Sequence, residues 1–145
     1  MSFSNAAENA LLLLIFNNTN YANVGDATGL RGSTTVGSLY MGGHTADPGE
    51  AGDQTTNEIA YTSYARVAIA RSGSGFTVST NTVSLAAACN FPAGTGGSGT
   101  MSHWGLGTAA SAAGSLIAKG SISPSIVCGA GVTPSLAAGT VLTLD

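Results

Sequence analysis

Leu39–Arg71 reads LYMGGHTADPGEAGDQTTNEIAYTSYARVAIAR, laid out as a strand, an acidic turn and a second strand. At its centre Asp47-Pro48-Gly49 is strong turn chemistry. The Asp side chain bonds the backbone ahead, Pro fixes φ, and Gly accepts a positive φ. Downstream, Ala65, Val67 and Ile69 alternate with Tyr64, Arg66 and Ala68, the period of a strand with one buried face. Glu58 and Arg66 are placed to pair across this hairpin, a structural contact of modest energy. Gly42-Gly43, ahead of His44, interrupts the regularity of the first strand.

Working outward, short apolar runs separated by turn residues recur along the rest of the chain. Besides Leu39–His44 and Tyr61–Arg71 they are Gly75–Ser79, Thr82–Phe91, Met101–Gly107, Ser115–Ile122, Ile126–Cys128 and Thr140–Leu144. Thr80-Asn81 closes a hairpin, and Pro92, Pro124 and Pro134 fall at or between run ends, where a missing N–H does no harm. About eight strands at this spacing predict a mainly β fold, an antiparallel β-sandwich or jelly-roll-like domain. Residues 39–145 form that β-domain in this reading, and 1–145 is a single structural domain.

The N-terminus carries the other period. Asn5 followed by Glu8 has the form of a capping arrangement, and Ala7, Leu11, Leu14 and Ile15 share a helical face. The spacing predicts one N-terminal α-helix over 5–17, stopped by Asn17-Asn18-Thr19-Asn20. Leu12, Leu13 and Phe16 make the remaining faces apolar, so the helix must be covered, either inside the domain or by a neighbouring subunit. Docking on a neighbour is the preferred reading. Residues 20–38, with Gly25, Gly29, Gly32 and Gly37, read as an extended loop.

Charge excludes several classes. The chain is 8% charged against about 25% in an average domain. From Ser72 to Asp145 only Lys119 and Asp145 are charged. Arg31, Arg66, Arg71 and Lys119 are scattered, a poor footprint for phosphate contacts, so no nucleic-acid partner is expected. Ala10–Phe16 is too short to span a bilayer, lacks a preceding basic residue and has no small-x-small cleavage site after it. No membrane anchor is expected. Cys89 and Cys128, each in an apolar run, read as reduced, buried small hydrophobes, with a disulfide between them as the alternative.

Catalytic signatures are missing. His44, Asp47, Glu50 and Asp53 lack the alternating Asp/Asn pattern of a calcium loop, and a solvated turn is preferred. Neither His44 nor His103 accompanies a nucleophile-elbow motif. Ser72–Gly75 and Gly94–Gly99 are glycine-rich but carry no phosphate-loop Lys, so they read as hairpin ends. Trp104 reads as a core anchor. The expectation is a non-enzymatic protein with no catalytic residues, no cofactor and no metal.

LYMGGHTADPGEAG followed by NEIAYTSYARVAI resembles a family of small tailed-bacteriophage virion structural proteins, often catalogued as phage tail fibre proteins. The opening SFSNAAENALLLLIF also fits that family's helical start. The resemblance implies a virion component assembled in the host cytoplasm. With the chain's size and neutrality, the expectation is a capsid decoration or cement protein bridging capsomers of the major capsid protein. The alternative is a tail fibre or tail-tip protein in host attachment. Either role implies contact with other virion proteins and self-association, as a trimer or alternatively a dimer. The candidate partner-contact residues are Leu11, Leu12, Leu13, Leu14, Ile15 and Phe16 of the helix, with Tyr61, Tyr64 and Arg66.

Overall fold

The N-terminal helix α1 (Asn5–Asn17) begins one residue earlier than a cap at Asn5 would place it. Ser4 is the cap, and its hydroxyl accepts from the Ala7 N–H at 3.4 Å. Asn18 ends the helix in the left-handed conformation, with the Thr19 N–H reaching back to the Leu13 carbonyl at 3.1 Å. The computed structural model describes residues 3–144. The outermost ends of the 1–145 span lie outside them.

Among the described residues nine strands follow: β1 (Ser38–His44), β2 (Val67–Ala70), β3 (Phe76–Ser79), β4 (Thr82–Leu85), β5 (Cys89–Asn90), β6 (Ser98–Gly107), β7 (Leu116–Gly129), β8 (Ser135–Leu136) and β9 (Val141–Thr143). They make sheets of order β2-β1-β6-β7, β3-β4-β9 and β5-β8. The pairs β1–β6, β6–β7, β3–β4, β4–β9 and β5–β8 are all antiparallel. The fold is therefore mainly β with one helix, as the run pattern predicts. The strand orders alone do not specify a jelly roll.

The chain forms two compact units, each built from separated segments. The helical unit takes Met1–Ser38, Ile69–Ala88 and Ala137–Asp145. In it α1 lies against β3 and β4. Glu8, Leu12 and Phe16 are the inward residues of the helix, and the Phe16 and Phe76 rings meet edge-on at 5.1 Å. Val83 and Leu85 complete this core. Leu11, Leu13, Leu14 and Ile15 are half-buried.

Arg71 finishes the helix. Its guanidinium donates to the Ile15 and Leu14 carbonyls at 2.7 and 2.8 Å and to the Ser33 hydroxyl at 2.9 Å. A cation on the last-turn carbonyls satisfies orphan acceptors and complements the helix dipole. The 20–38 segment is tied to the same place. Asn18 exchanges bonds with the Ser33 backbone at 2.6 and 2.9 Å, and Asn20 accepts from the Gly32 N–H at 3.0 Å.

The long-sheet unit takes Leu39–Ala68 and Cys89–Leu136. Its core includes Met41, Ile59, Tyr61, Phe91, Met101, Trp104 and Leu106. β1 stays regular through Gly42-Gly43 because those glycines make room for neighbours. A Cβ on Gly43 would run into the Met101 thioether. Trp104 is buried as an anchor, and Gly120, its register partner on β7, leaves the space: a Cβ there would sit 2.6 Å from the indole.

Several strand limits differ from the periodic reading. Tyr61–Arg66 is not extended strand, because the Tyr64 N–H closes a turn on the Tyr61 carbonyl at 3.0 Å with Ser63 at φ 78°. Along Tyr64–Arg66 the burial also runs opposite to the expected alternation: Arg66 is buried and Ala65 exposed. Thr82–Phe91 divides into β4 and β5, whereas Ser115–Ile122 and Ile126–Cys128 join as β7. Ser135–Leu136, in β8, pairs with β5 and carries no strand period of its own.

Candidate functional site

The connection between β6 and β7, Thr108–Ser115, is held by two buried polar side chains supplied from far upstream. Arg66 grips Glu58 through Nε–Oε1 at 2.6 Å and NH2–Oε2 at 2.7 Å, a two-pronged pair. Its NH1 donates to the Ala109 and Ala112 carbonyls at 3.0 and 2.9 Å. The Tyr64 hydroxyl donates to Glu58 Oε1 at 2.8 Å and accepts from the Gly43 N–H at 3.0 Å. Glu58 thus raises the Arg66 pKa above its ordinary value, and burial raises that of Tyr64.

Gln54 is the second pin. Its Oε1 accepts from the Ala109 N–H at 2.8 Å, its Nε2 donates to the Tyr40 carbonyl at 3.3 Å, and its own N–H donates to Gly114 at 3.2 Å. Gly114 packs so closely that a Cβ would collide with the Gln54 side chain. These bonds fix a shallow groove of about 610 Å³ lined by Gly52, Asp53, Thr108, Ala109, Ala113, Gly114, Ser115 and Leu116. The groove offers hydroxyls and one carboxylate. Asp53 Oδ1 accepts from the Thr55 N–H and hydroxyl at 2.8 and 2.6 Å, which lowers its pKa and keeps it ionised.

The acidic turn beside β1 closes on Lys119 of β7. Its ammonium lies 3.0 Å from Asp47 and 3.1 Å from Glu50. Asp47 also accepts from the Gly49 N–H at 2.8 Å, and that bond, with Lys119 second, lowers its pKa. Glu50 is almost fully exposed, so this triad orients the loop and adds little stability.

His44 points inward instead of joining these acids. Its Nδ1–H donates to the Thr56 carbonyl at 2.8 Å, and Nε2 is buried without a partner. A Cβ on Gly105 would lie 2.5 Å from Nε2. Burial lowers the His44 pKa, which keeps the ring neutral. His44, Asp47, Glu50 and Asp53 therefore do not converge. Among the described residues no group of three or more His, Cys, Asp or Glu is arranged to hold a metal ion.

Among the described residues the Ser–His contact, Ser102 with His103, has the wrong polarity for a nucleophile. The Ser102 hydroxyl donates to the Thr45 carbonyl at 2.8 Å, so His103 Nδ1, at 2.9 Å, stands as donor to that oxygen. A general base must accept the proton of its nucleophile. Cys89 and Cys128 are free and buried, and burial pushes the Cys89 thiol up to about 11.

Of the partner-contact residues expected from sequence, Leu12, Phe16, Tyr61 and Arg66 are buried within their own units. Leu11, Leu13, Leu14, Ile15 and Tyr64 are half-buried. Gln54, Thr108 and Ser115 were not singled out by sequence. Their only signal is the polar QTTN that follows Asp53 and the small-residue run Thr108–Ser115.

This arrangement is a scaffolded polar loop, with no assembled acid–base pair in the groove. Residues 2–143 match the family model described as podophage GP4 fiber I protein gp80. The chain belongs to this family. No curated protein matches it. Membership across nearly the whole chain makes it a phage virion structural protein, in agreement with the resemblance carried by Leu39–Ile69.

Proposed function

We propose that the chain is a tail-fibre component of a podophage virion that takes part in host attachment. The observation that carries this reading is the match of 2–143 to a fibre protein family. The capsid-decoration role expected from size and neutrality has no support in that description. The whole of 1–145 is taken to act as one non-enzymatic structural module, in contact with other virion proteins.

The long-sheet unit has the properties that attachment needs. Its β6–β7 connection is fixed by Arg66 and Gln54, so ordering it again on contact costs little. Its groove is lined by Thr108, Ser115 and Asp53, and the Thr108 hydroxyl, which accepts from the Ser115 N–H at 3.1 Å, keeps its own proton to donate. Such a lining recognises neutral polyhydroxyl groups, as on surface glycans, through hydrogen bonds instead of charge. Thr108→Ala/Ser115→Ala virions should adsorb to host cells at least about tenfold more slowly, as the loss of two hydrogen bonds implies.

Location and role are tested separately. Gold-labelled cryo-micrographs of virions should place the protein on the tail, and quantitative mass spectrometry should give a low copy number matching tail components. Labelling spread over the capsid at capsomer stoichiometry would overturn the fibre reading.

A further inference from the structure

His44 is 1% exposed, and its Nε2 is, among the described residues, the buried side-chain polar atom left without a partner. Leaving such an atom unpaired costs free energy, so its place in the fold asks for a reason. Gly42 and Gly105, register partners on β1 and β6, turn their bare sides toward the ring. A Cβ on Gly42 would lie 3.3 Å from the Tyr64 hydroxyl, 3.5 Å from His44 Nε2 and 3.6 Å from Glu58 Oε1. Three polar atoms thus converge on one small space beside Gly42.

Both supports of the β6–β7 connection come back to this ring. On one side, Glu58 Oε1 accepts from Tyr64 and from Arg66, whose NH1 holds the Ala109 and Ala112 carbonyls. On the other, His44 Nδ1–H donates to the Thr56 carbonyl, and the Thr56 hydroxyl accepts from the Asp53 N–H at 3.1 Å. Gln54, inside that turn, holds Ala109 and Gly114. Leu116 of the groove lining reaches the same place: a Cβ on Gly105 would lie 2.5 Å from His44 Nε2 and 2.9 Å from Leu116 Cδ1.

We propose that His44 is a proton-operated catch for the β6–β7 connection: protonation of Nε2 frees Thr108–Ser115 from its pins while the sheet stays folded. A proton turns Nε2 into a donor and sets a second cation near Arg66. The acceptors that share its space, Glu58 Oε1 and the Tyr64 oxygen, are already engaged by Arg66, Tyr64 and the Gly43 N–H. Drawing Glu58 toward the ring takes it from Arg66 Nε, and Arg66 then leaves the loop carbonyls. The other charged groups on this face give no relief. His103, the register partner of His44 on β6, adds positive charge when protonated, and Lys119, opposite Gly105 on β7, is held by Asp47 and Glu50. Burial lowers the His44 pKa, the Thr56 bond and Glu58 oppose the shift, and Arg66 and His103 reinforce it. The closed connection therefore resists the proton, and opening is favoured as pH falls below 6.5. As a control on attachment the catch rests on the groove reading; the order of the connection is measured without any ligand, so the two can fail separately.

Amide exchange of the full chain, corrected for the intrinsic pH dependence of exchange, tests this at the hydrogen-bonded Thr108, Ala109 and Ser115 N–H groups. Between pH 7.5 and 5.0 their protection should fall by about threefold to thirtyfold, the upper figure being the most that one imidazole titrating at 6.5 in the open form allows. Their exchange should be nearly independent of dilute urea, the mark of a local opening, while the β6–β7 ladder exchanges through urea-dependent unfolding. H44N keeps a donor for the Thr56 carbonyl, has nothing to titrate, and should make the protection level with pH. H103N leaves His44 as the one imidazole in the chain and should keep the fall, a result that stands even where H44N does not fold. Level protection in wild type or in H103N would overturn the proposal. So would a fall that persists in H44N, or one that appears only with urea-dependent unfolding of the whole sheet.

Discussion

Arg66 shows what one buried ion pair commits a small sheet to. Its guanidinium is 2% exposed at the side chain and divides its donors between Glu58 and the two loop carbonyls. Arg66→Met would leave Glu58 without its cation, a loss of about 3–5 kcal/mol. Arg66→Lys should rescue little, because a single ammonium cannot reproduce the planar fork. Urea midpoints of the three proteins measure this directly. The pairing of Glu58 with Arg66 was legible in the sequence at a separation of eight residues. Its burial was not, because the carbonyls that complete it come from residues 43 and 46 positions away.

His44 makes stability depend on pH. Burial lowers its folded pKa below the ordinary value of 6.5, the Thr56 bond and Glu58 oppose that shift, and Arg66 and His103 reinforce it. Tyr64, neutral at these pH values, lies beside Gly42 together with His44. Above about pH 6.5 the ring is neutral folded and unfolded, and contributes no slope. As pH falls below 6.5 the unfolded chain takes up the proton first, so stability is lost until the folded pKa is reached. His44→Asn keeps a donor for the Thr56 carbonyl and should flatten this slope. Denaturation midpoints at pH 7.5 and 5.0 should differ less in the variant than in wild type, and an equal difference would count against His44.

At the scale of elements, local signals were read well and long-range ones poorly. The limits of α1 follow from Ser4, Glu8 and the Asn-rich stop, all within one chain segment. β5 and β8 have two residues each and exist only because Cys89–Asn90 and Leu136–Ser135 find one another across the sequence. The periodic reading allowed the helix to be either a docking element or part of the core. Leu12 and Phe16, both 2% exposed, place one face inside the helical unit. Deleting residues 1–16 should therefore unfold that unit: β3 and β4 lose their apolar cover, and Arg71 loses both helix carbonyls. Circular dichroism and amide exchange over Phe76–Leu85 report it. Native-like protection there in the truncated chain would restore the docking reading.

The whole molecule was the least legible scale. The chain passes between its two units at Ser38/Leu39, Ala68/Ile69, Ala88/Cys89 and Leu136/Ala137, so neither unit is a continuous stretch of sequence. No composition shift marks those junctions. Pattern reading works along the chain, whereas unit membership is decided by contacts between distant segments. What the sequence shows plainly at this scale is sparse charge, 8% of residues with a net charge of −3, and few of the cations are left free in the structure. Lys119 is held by Asp47 and Glu50, and Arg66 and Arg71 are each committed to internal partners. Of the four cations, only Arg31 is outside such a commitment, with one 3.4 Å contact to Thr28.

That scarcity of charge makes a prediction about assembly. Association driven by opposite charges is screened once the Debye length falls from about 30 Å at 0.01 M salt to about 3 Å at 1 M. Association through backbone ladders and apolar side chains has no such term, and burial of apolar surface is strengthened by excluded salts such as sulfate. Association of this chain with other virion proteins or with its own copies should therefore change less than about tenfold in affinity between 0.05 and 0.5 M sodium chloride. It should tighten in sulfate of equal ionic strength. Sedimentation velocity across the series measures both. A hundredfold loss over the chloride range would mean that charge carries the contact. Arg31 and the exposed carboxylate of Glu50 would then be the groups to neutralise first, since the remaining cations are engaged within the fold.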